Sequence, residues 1–574
     1  MVGSRPIYTS RMRFLRMLSN SLLAGALGAA YLTILLLQLN PQVPLASSTV
    51  WRWYGTLVAF YGIHLAVLFY TLMLLREFFS VEIFSPGWIS VRLLAWLSSA
   101  AAAVAATLMW LNLRGFTTLF DEPTARRFAT GAGATTASAV VLLGIAIAHY
   151  SFGRRGSRVG AALLAIAIVG SLALPLAARG PGGELPLGAR RVTIEPTPDK
   201  AGGPRVVLLL LDGASLEYVW PRAAEGRLPN FGRLLDSGAS IDLATIRPTQ
   251  PDPVWAAVAT GMYPMKNGVR STASYFASGD TRGIDLLPDH CFSHALVQLG
   301  VVRAEPNTSA AWRARPIWTL LGDYGITTLV TDRFHQLLGS MFELDGRAAY
   351  PPELQPVARD AFVGSDSASA EVLPAGIPIV TPPAPDVGAA RWDQFYSRAM
   401  RDLNVERPVQ FSALRYEGLD TVGHQFLRYA QPRSLGAVSE EDRQRLGPTL
   451  DRYYGYIDGE IGAALDRLGA GDLLLVVSGF GMQPIDPVKH AISRLLRQPD
   501  LSGTHDRAPD GFMLAFGASV APGRHQRGSI VDVTPTILYF LGLPIGRDMD
   551  GYARADLFRF SPERPITFIP SHER

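Results

Sequence analysis

The sequence predicts an N-terminal all-α transmembrane bundle of about five helices, followed by an α/β domain built as a three-layer sandwich. Long apolar stretches almost free of charge fall before residue 180 and hardly anywhere after it. Beyond residue 205, runs of strand length rich in Val and Leu alternate with stretches of helical apolar spacing. That alternation is the pattern of a mostly parallel sheet with helices on both faces. Between the two regions the composition turns to Gly, Pro and charge (Arg179-Gly-Pro-Gly-Gly-Glu184), as in an extended tether. The predicted organisation is a transmembrane domain at 1–180, a linker at 181–204, an α/β domain at 205–560 and a C-terminal tail at 561–574. A stretch at about 334–388, dominated by Ser, Ala and Pro without a sustained period, reads as an insertion at the rim of the sheet.

Five segments, at roughly 19–39, 51–75, 88–111, 128–150 and 159–178, have the ~20 apolar residues a helix needs to cross a bilayer. The first is too long, and followed by too many others, for a cleaved signal peptide. Arg5, Arg11, Arg13 and Arg16 precede the first span, and Arg154, Arg155 and Arg158 separate the fourth from the fifth. Placing both groups in the cytoplasm gives a cytoplasmic N-terminus and an exported C-terminal domain. Ionisable residues within the spans are few (His64, Arg92, His149), and Trp51, Trp53, Trp88 and Trp110 lie near the interfaces, so the bundle reads as an anchor and not a transport pathway. A net charge of +4 carries no nucleic-acid footprint, and a lone cysteine, Cys291, excludes an intramolecular disulfide and a thiolate metal cluster. Lysine occurs only at 200, 266 and 489, the remaining basic charge being arginine, which points to a bacterial inner membrane.

The α/β domain opens on Arg205-Val-Val-Leu-Leu-Leu-Leu-Asp212-Gly213. Six consecutive apolar residues mark a strand buried on both faces, and ligands of open α/β sheets gather past the carboxyl ends of such strands. Asp212 stands at that point, as a site residue or as the cap of the following turn. Helical spacing follows at 228–235, with Pro229 near its start and Gly238 past its end, then a strand at 240–246 and a short helix at 254–260 stopped by Gly261. Strands at 327–331, 410–415, 472–477 and 512–516 are interleaved with helices at 391–403 and 450–468. After the 410–415 strand, Asp420 and His424 stand at i and i+4, which on a helix aims carboxylate and imidazole at one place; surface pairs share that spacing. His505, in Ser502-Gly-Thr-His505 before a strand, offers a third ligand, and three protein ligands with an open position form the catalytic zinc pattern.

Seven stretches occur in a telling order: the strand into Asp212-Gly213; Leu-Pro229-Asn230-Phe; Pro-Thr249-Gln-Pro-Asp-Pro with Ala-Thr260-Gly261-Met-Tyr-Pro264; Asp420 to His424; Val-Ser478-Gly-Phe-Gly481-Met482; Gly503-Thr-His505; and Asp532-Val-Thr-Pro-Thr536 with Asp548-Met-Asp-Gly551. On these, residues from about 205 to 557 resemble the alkaline phosphatase superfamily, in particular its type I phosphodiesterase/nucleotide pyrophosphatase branch, which implies an α/β domain of alkaline-phosphatase type. The multi-span anchor resembles that of bacterial phosphoethanolamine and glycerol-phosphate transferases of the cell envelope.

The resemblance implies two metal ions and a Thr or Ser nucleophile that forms a covalent phospho-enzyme. It assigns Asp420, His424 and His505 to one complete metal site and Asp212 to the second. The other second-site positions depart from the family: Pro251 stands at the nucleophile, Gly479 and Phe480 replace an Asp and a His, and Asn267-Gly268 replaces His-Gly. The expected cofactor is therefore a divalent metal, Zn, as one ion and not two. Thr249 and Asp252 flank the lost nucleophile and are the candidates for catalysis, although a two-residue displacement along an extended chain is ~6–7 Å. Asp252, Asp506 and His490 are further candidates for replacement ligands. The predicted function is a membrane-anchored, exported phosphodiesterase or phosphohydrolase-like protein acting on a phosphodiester or lipid head group, its activity non-standard or lost. The alternative is a pseudoenzyme that binds or scaffolds partners in the cell envelope.

Overall fold

Both periodicities materialise in the computed structural model, which describes residues 7–79, 91–152, 158–183, 203–291, 293–307, 311–331, 408–431, 438–485, 502–505, 509–560 and 564–573, with short pieces between 342 and 405. The insertion at 334–388, most of the linker, Asp506 and His490 fall largely or wholly outside the described residues. The chain forms two compact units, residues 1–187 with 273–306, and residues 188–272 with 307–574.

In the first unit, helices run over Ile7–Leu39, Ser48–Leu57 continuing through a π turn into Ile63–Phe79, Val91–Gly115, Glu122–Phe152 and Arg158–Arg179. Five stretches are long and apolar enough to cross a membrane: Met17–Leu39, Ser48–Leu75, Leu93–Gly115, Glu122–Ala148 and Val159–Arg179. They match the expected spans to within a few residues, except that the expected start of the third, Trp88, lies outside the described residues, as do Arg5, Arg154, Arg155 and the side chains of Arg92 and His149. The first helix ends with carbonyls that have no intrahelical donor. Arg179 supplies donors there, its Nε 2.6 Å from the Leu37 carbonyl and a terminal nitrogen 2.9 and 2.6 Å from those of Asn40 and Val43.

Residues 273–306 were expected in the α/β domain; the structure packs them with the helices instead. They form a hairpin of Ala273–Phe276 and Arg303–Pro306 around a short helix, Ser293–Gln298. Tyr275, Ile284, Leu287 and Leu296 share one apolar cluster with Leu36, Leu37, Trp53 and Leu57. Two buried asparagines near helix ends fasten the excursion. Asn40 accepts from the backbone of Asp285 and Leu286 (3.1 Å each) and donates to the Leu286 carbonyl (2.8 Å). Asn112 accepts from the Asp289 amide (2.7 Å) and donates to its carbonyl (3.1 Å). An amide side chain both donates and accepts, so each asparagine satisfies a backbone segment that has no ladder of its own.

The second unit is built on a sheet whose centre is parallel. β1 (Val206–Leu211) lies between β4 (Phe411–Tyr416) and β5 (Leu473–Phe480), and β3 (Thr328–Thr331) extends the parallel set beyond β4. β6 (Asp510–Phe516) pairs antiparallel with β5, and β2 (Ala239–Ala244) antiparallel with β6. Helices Leu216–Ala224, Pro229–Ser237 and Pro448–Leu465 cover one face, packing Tyr218, Phe231, Ile457 and Ile461 onto Leu209, Leu211, Leu474 and Val476. The Pro251–Thr260 helix, tied by its Val258 carbonyl to Thr534 (2.7 Å) in the Val533–Leu541 helix, lies against the other face beside β5. Helices on both faces of a sheet make three layers, as the sequence predicts. In register, Leu211 aligns with Tyr416 of β4 and with Ser478 of β5. The chain therefore leaves these three strands at one level, and Asp212, Glu417 and Gly479 come out side by side.

Candidate metal centre

Immediately past β4 the chain turns into the Gly418–Ala430 helix, and the start of that turn is fixed from outside. Asp393, fully buried, accepts from the amides of Glu417 (3.1 Å) and Gly418 (2.8 Å) and from the Tyr453 hydroxyl (2.6 Å). A carboxylate there satisfies two of the orphan N–H groups of a helix start. A Cβ on residue 418 would collide with the Tyr453 hydroxyl, which accounts for the glycine. So anchored, the helix presents Asp420 and His424 one turn apart, with Nε2 of His424 3.4 Å from a carboxylate oxygen of Asp420. His505 follows the two-residue strand Gly503–Thr504, and its ring centroid is 5.1 Å from that of His424.

Ligand atoms of Asp420, His424 and His505 all lie within 4.8 Å of one another. Each imidazole is held by its far nitrogen: Nδ1 of His424 is 2.7 Å from the Gly503 carbonyl and Nδ1 of His505 is 2.8 Å from the Thr249 carbonyl. A carbonyl can only accept, so both Nδ1 atoms carry a proton, and the neutral rings then keep their lone pairs on Nε2; this is the arrangement outer partners impose on metal-ligating histidines. The Asp420 Oδ1 atom is buried without a hydrogen-bond partner among the described residues. A buried oxygen with no donor is costly, and a cation beside it removes the cost. These observations fit a single divalent cation at the trio.

Asp212 is not brought into that cluster. Strand parity puts Asp212, Arg415 and Gly479 on the same face of the sheet, since Leu210 aligns with Arg415 and with Val477 and side chains alternate along a strand. The Arg415 side chain spans the diagonal to Asp212: Nε is 3.1 and 3.2 Å from the two carboxylate oxygens, and a terminal nitrogen is 2.7 Å from one of them. Both side chains are buried, 6% and 2% exposed, so the pair is shut away from water. Burial pushes the Asp212 carboxyl up, to about 7, against the opposing pull of Arg415. Burial also works against the charge of Arg415, but Asp212 and Glu417 outweigh it and raise the guanidinium further. We read the pair as ionised, because Arg415 donates to both carboxylate oxygens and a guanidinium in contact favours the charged form of its partner.

Around this pair the remaining positions are apolar or spent. A Cβ on Gly479 would run into Val254 and stand 3.5 Å from the Trp255 ring, so the Pro251–Thr260 helix fills the space beside β5. Phe480 is fully buried, its ring 5.1 Å from that of His505 and 6.4 Å from that of Trp255. Pro251 forms the first turn of the helix, where its missing N–H costs nothing. Asn267 uses its amide on the Met262 carbonyl and its oxygen on the Val269 amide, both 2.8 Å.

Of the two catalytic candidates, Thr249 is buried and its hydroxyl donates to the Ile246 carbonyl at 3.0 Å; its contribution to the centre is the backbone oxygen that holds His505. Asp252 sits in the first helical turn beside a cavity of about 20 Å³ bordered by Trp255, Val269, Trp312 and Arg415. Burial raises its carboxyl pKa, Arg415 opposing and Glu417 reinforcing. A larger cavity of about 420 Å³ is bordered by Gly213, Glu217, Arg247, Gly423, Tyr454 and Met482; Asp420, His424 and His505 do not line it. The sequence reading missed Arg415 and Asp393. The signal for Arg415 was present, an arginine in a buried, mostly apolar strand; Asp393, near the start of the expected 391–403 helix, carried no such mark.

Among curated proteins no match is found. Solved structures that match include murine ectonucleotide pyrophosphatase/phosphodiesterase 5, at 13% identity over 62% of this chain and 100% of that one with a TM-score of 0.39. Another is an inactive variant of the same murine protein in complex with AMP, at 12% identity, the same coverage and a TM-score of 0.39. The model of the family described as type I phosphodiesterase / nucleotide pyrophosphatase matches residues 206–532, from the first residue of β1 to the end of the turn before the Val533–Leu541 helix. With more than half of its length matched, this chain belongs to the type I phosphodiesterase/nucleotide pyrophosphatase family of the alkaline phosphatase superfamily.

Proposed function

We propose that this protein is a membrane-anchored, exported phosphodiesterase or phosphohydrolase that works with a divalent cation, Zn2+, held by Asp420, His424 and His505. The observation that carries the reading is the trio itself: two imidazoles with Nδ1 locked on carbonyls and a buried Asp420 oxygen without a donor. When bound, such an ion polarises a phosphoryl oxygen and acidifies water. His424 and His505 keep their lone pairs on one point, and Asp420 supplies the negative charge. Thr249 acts through its carbonyl. With Pro251 where the family's nucleophile would stand, Asp252 is the side chain assigned to proton transfer, its raised carboxyl pKa bringing its basicity closer to what taking a proton from water requires. The substrate class, a phosphodiester or a lipid head group, follows from the family and the membrane-type helices. The arginines around the first, fourth and fifth spans favour a cytoplasmic N-terminus and a periplasmic or extracellular α/β domain, with 181–204 as tether.

A second reading, a pseudoenzyme that binds or scaffolds envelope partners, is favoured by Pro251 and by the apolar fill around Gly479. The test uses the full chain in detergent, because residues 273–306 pack with the helices and a truncated α/β fragment would leave that excursion without its partners. Metal content and hydrolysis of a nitrophenyl phosphodiester are compared for wild type and His424→Ala. Bound metal with turnover abolished by the substitution supports the enzyme. Bound metal without turnover selects the pseudoenzyme, and absence of metal overturns the reading of the trio.

A further inference from the structure

We propose that the Arg415 guanidinium is the resident cation of the second half of the site, standing where a second metal ion would neutralise Asp212, so that the centre takes one metal ion and not two. The occupancy of the trio rests on the function proposed above; the Asp212–Arg415 arrangement does not depend on it.

Three independent features of the structure converge on this assignment. First, the carboxylate already has a cation. Both Asp212 oxygens lie within 3.2 Å of Arg415 nitrogens, in the planar fork geometry that suits a guanidinium, so a metal ion at Asp212 would compete with a donor group already in place. Second, the volume is used up. The positions level with Asp212 on β5 carry no donor atom: Gly479 is backed by Val254 and Trp255, and the Phe480 ring stands between Trp255 and His505. Catalytic metal sites usually draw three or more ligands from the protein, and neither Gly479 nor Phe480 adds a side-chain donor to Asp212. Third, a fixed positive charge is already in place. Arg415 pairs with Asp212 at 2.7 Å and lies 3.6 Å from Glu417 and 5.7 Å from the centre of the Trp255 ring, so a cation entering beside Asp212 would meet a guanidinium that is covalently held there.

The consequence is chemical as well as structural. A guanidinium attracts an anionic phosphoryl oxygen, yet it cannot ligate an alkoxide or acidify a water as a metal does. The half-site therefore retains the electrostatic part of a second metal's role and loses the nucleophile-activating part, in keeping with a proline at the nucleophile position.

The experiment combines metal stoichiometry with a thermal double-mutant cycle on the full detergent-solubilised chain. Zn2+ content after dialysis is measured by mass spectrometry for wild type and Asp212→Asn, a substitution that keeps the shape of the side chain. One ion per chain in both is expected. Two ions in wild type, falling to one in Asp212→Asn, would overturn the proposal while leaving the trio intact. The cycle compares unfolding midpoints of Asp212→Asn, Arg415→Met, Arg415→Lys and the double variant Asp212→Asn/Arg415→Met. Arg415→Met is expected to lower the midpoint most, Arg415→Lys less, and the double variant to recover much of the loss, because the neutral pair no longer buries an unmatched charge. Additive losses would overturn the proposal whatever the metal content. Should no metal bind, the reading of the trio fails and the thermal cycle alone decides the role of Arg415. Should Arg415→Met not fold, Arg415→Lys with Asp212→Asn closes a second cycle.

Discussion

The trio of Asp420, His424 and His505 and the pair Asp212–Arg415 stand past the ends of neighbouring strands and handle charge in opposite ways. The trio gathers three lone-pair groups on one point with no cation among them, and leaves a carboxylate oxygen without a donor. The pair brings its cation in covalently, from the adjacent strand, and closes it under apolar side chains. Exposure separates them too: the side chains of Asp420 and His424 are 18% and 25% exposed against 2% and 6% for Asp212 and Arg415. An ion can reach the first and would have to displace a buried guanidinium to enter the second. The difference teaches that a buried carboxylate must be matched by some cation, and that an arginine on the adjacent strand can be that cation.

The sharpest way to break this comparison is to remove the covalent cation. Arg415→Met should destabilise the chain by about 3–5 kcal/mol, the usual cost of leaving a buried charge without its partner. A shift in thermal unfolding near zero would mean that Asp212 is neutral or otherwise paired. The trio should respond to metal where the pair does not. Zn2+ at a hundred times its dissociation constant should stabilise wild type by about 2.7 kcal/mol, and this gain should vanish in His424→Ala but persist in Asp212→Asn. Equal loss of the gain in both variants would merge the two halves into one site. Packing supplies a smaller test. Gly479→Ala pushes a methyl group into Val254 and should cost about 1–3 kcal/mol, with metal content unchanged. A well-tolerated substitution that raises metal content would show the half-site to be roomier than the structure has it. The smallest expected effect lies at the support of the trio. Asp393→Asn replaces one acceptor of the helix start by a donor and should cost about 1 kcal/mol, read by thermal unfolding; a complete loss of bound metal would instead make Asp393 a part of the centre.

Much of the fold was legible because its signals are local. The length of apolar runs marked the five helices, six consecutive Val and Leu marked the central strand, and Gly261 at φ 69° stopped the Pro251–Thr260 helix where its lack of a Cβ permits a left-handed turn. The i, i+4 spacing of Asp420 and His424 was enough to aim two ligands at one point once the segment turned helical, and His505 followed from its motif. In each case a single continuous segment of the chain, a few residues for a turn and some twenty for a span, carried the signal. What the sequence could not determine depends on partners far apart along it. Arg415 meets Asp212 across 203 positions, Asp393 reaches the helix start at Gly418 from 25 positions upstream, and residues 273–306 leave the α/β domain to pack with membrane-type helices through Asn40 and Asn112, more than 170 positions away. Thr249, a candidate for its hydroxyl, matters to the centre through its backbone. Periodicity reports which face of an element is apolar, and it is silent on which distant element will cover that face. Only the register of β1 between β4 and β5 and the packing of the Pro251–Thr260 helix decided that Asp212 would be answered by an arginine, because a buried charge pairs with whatever cation the assembled fold brings within reach.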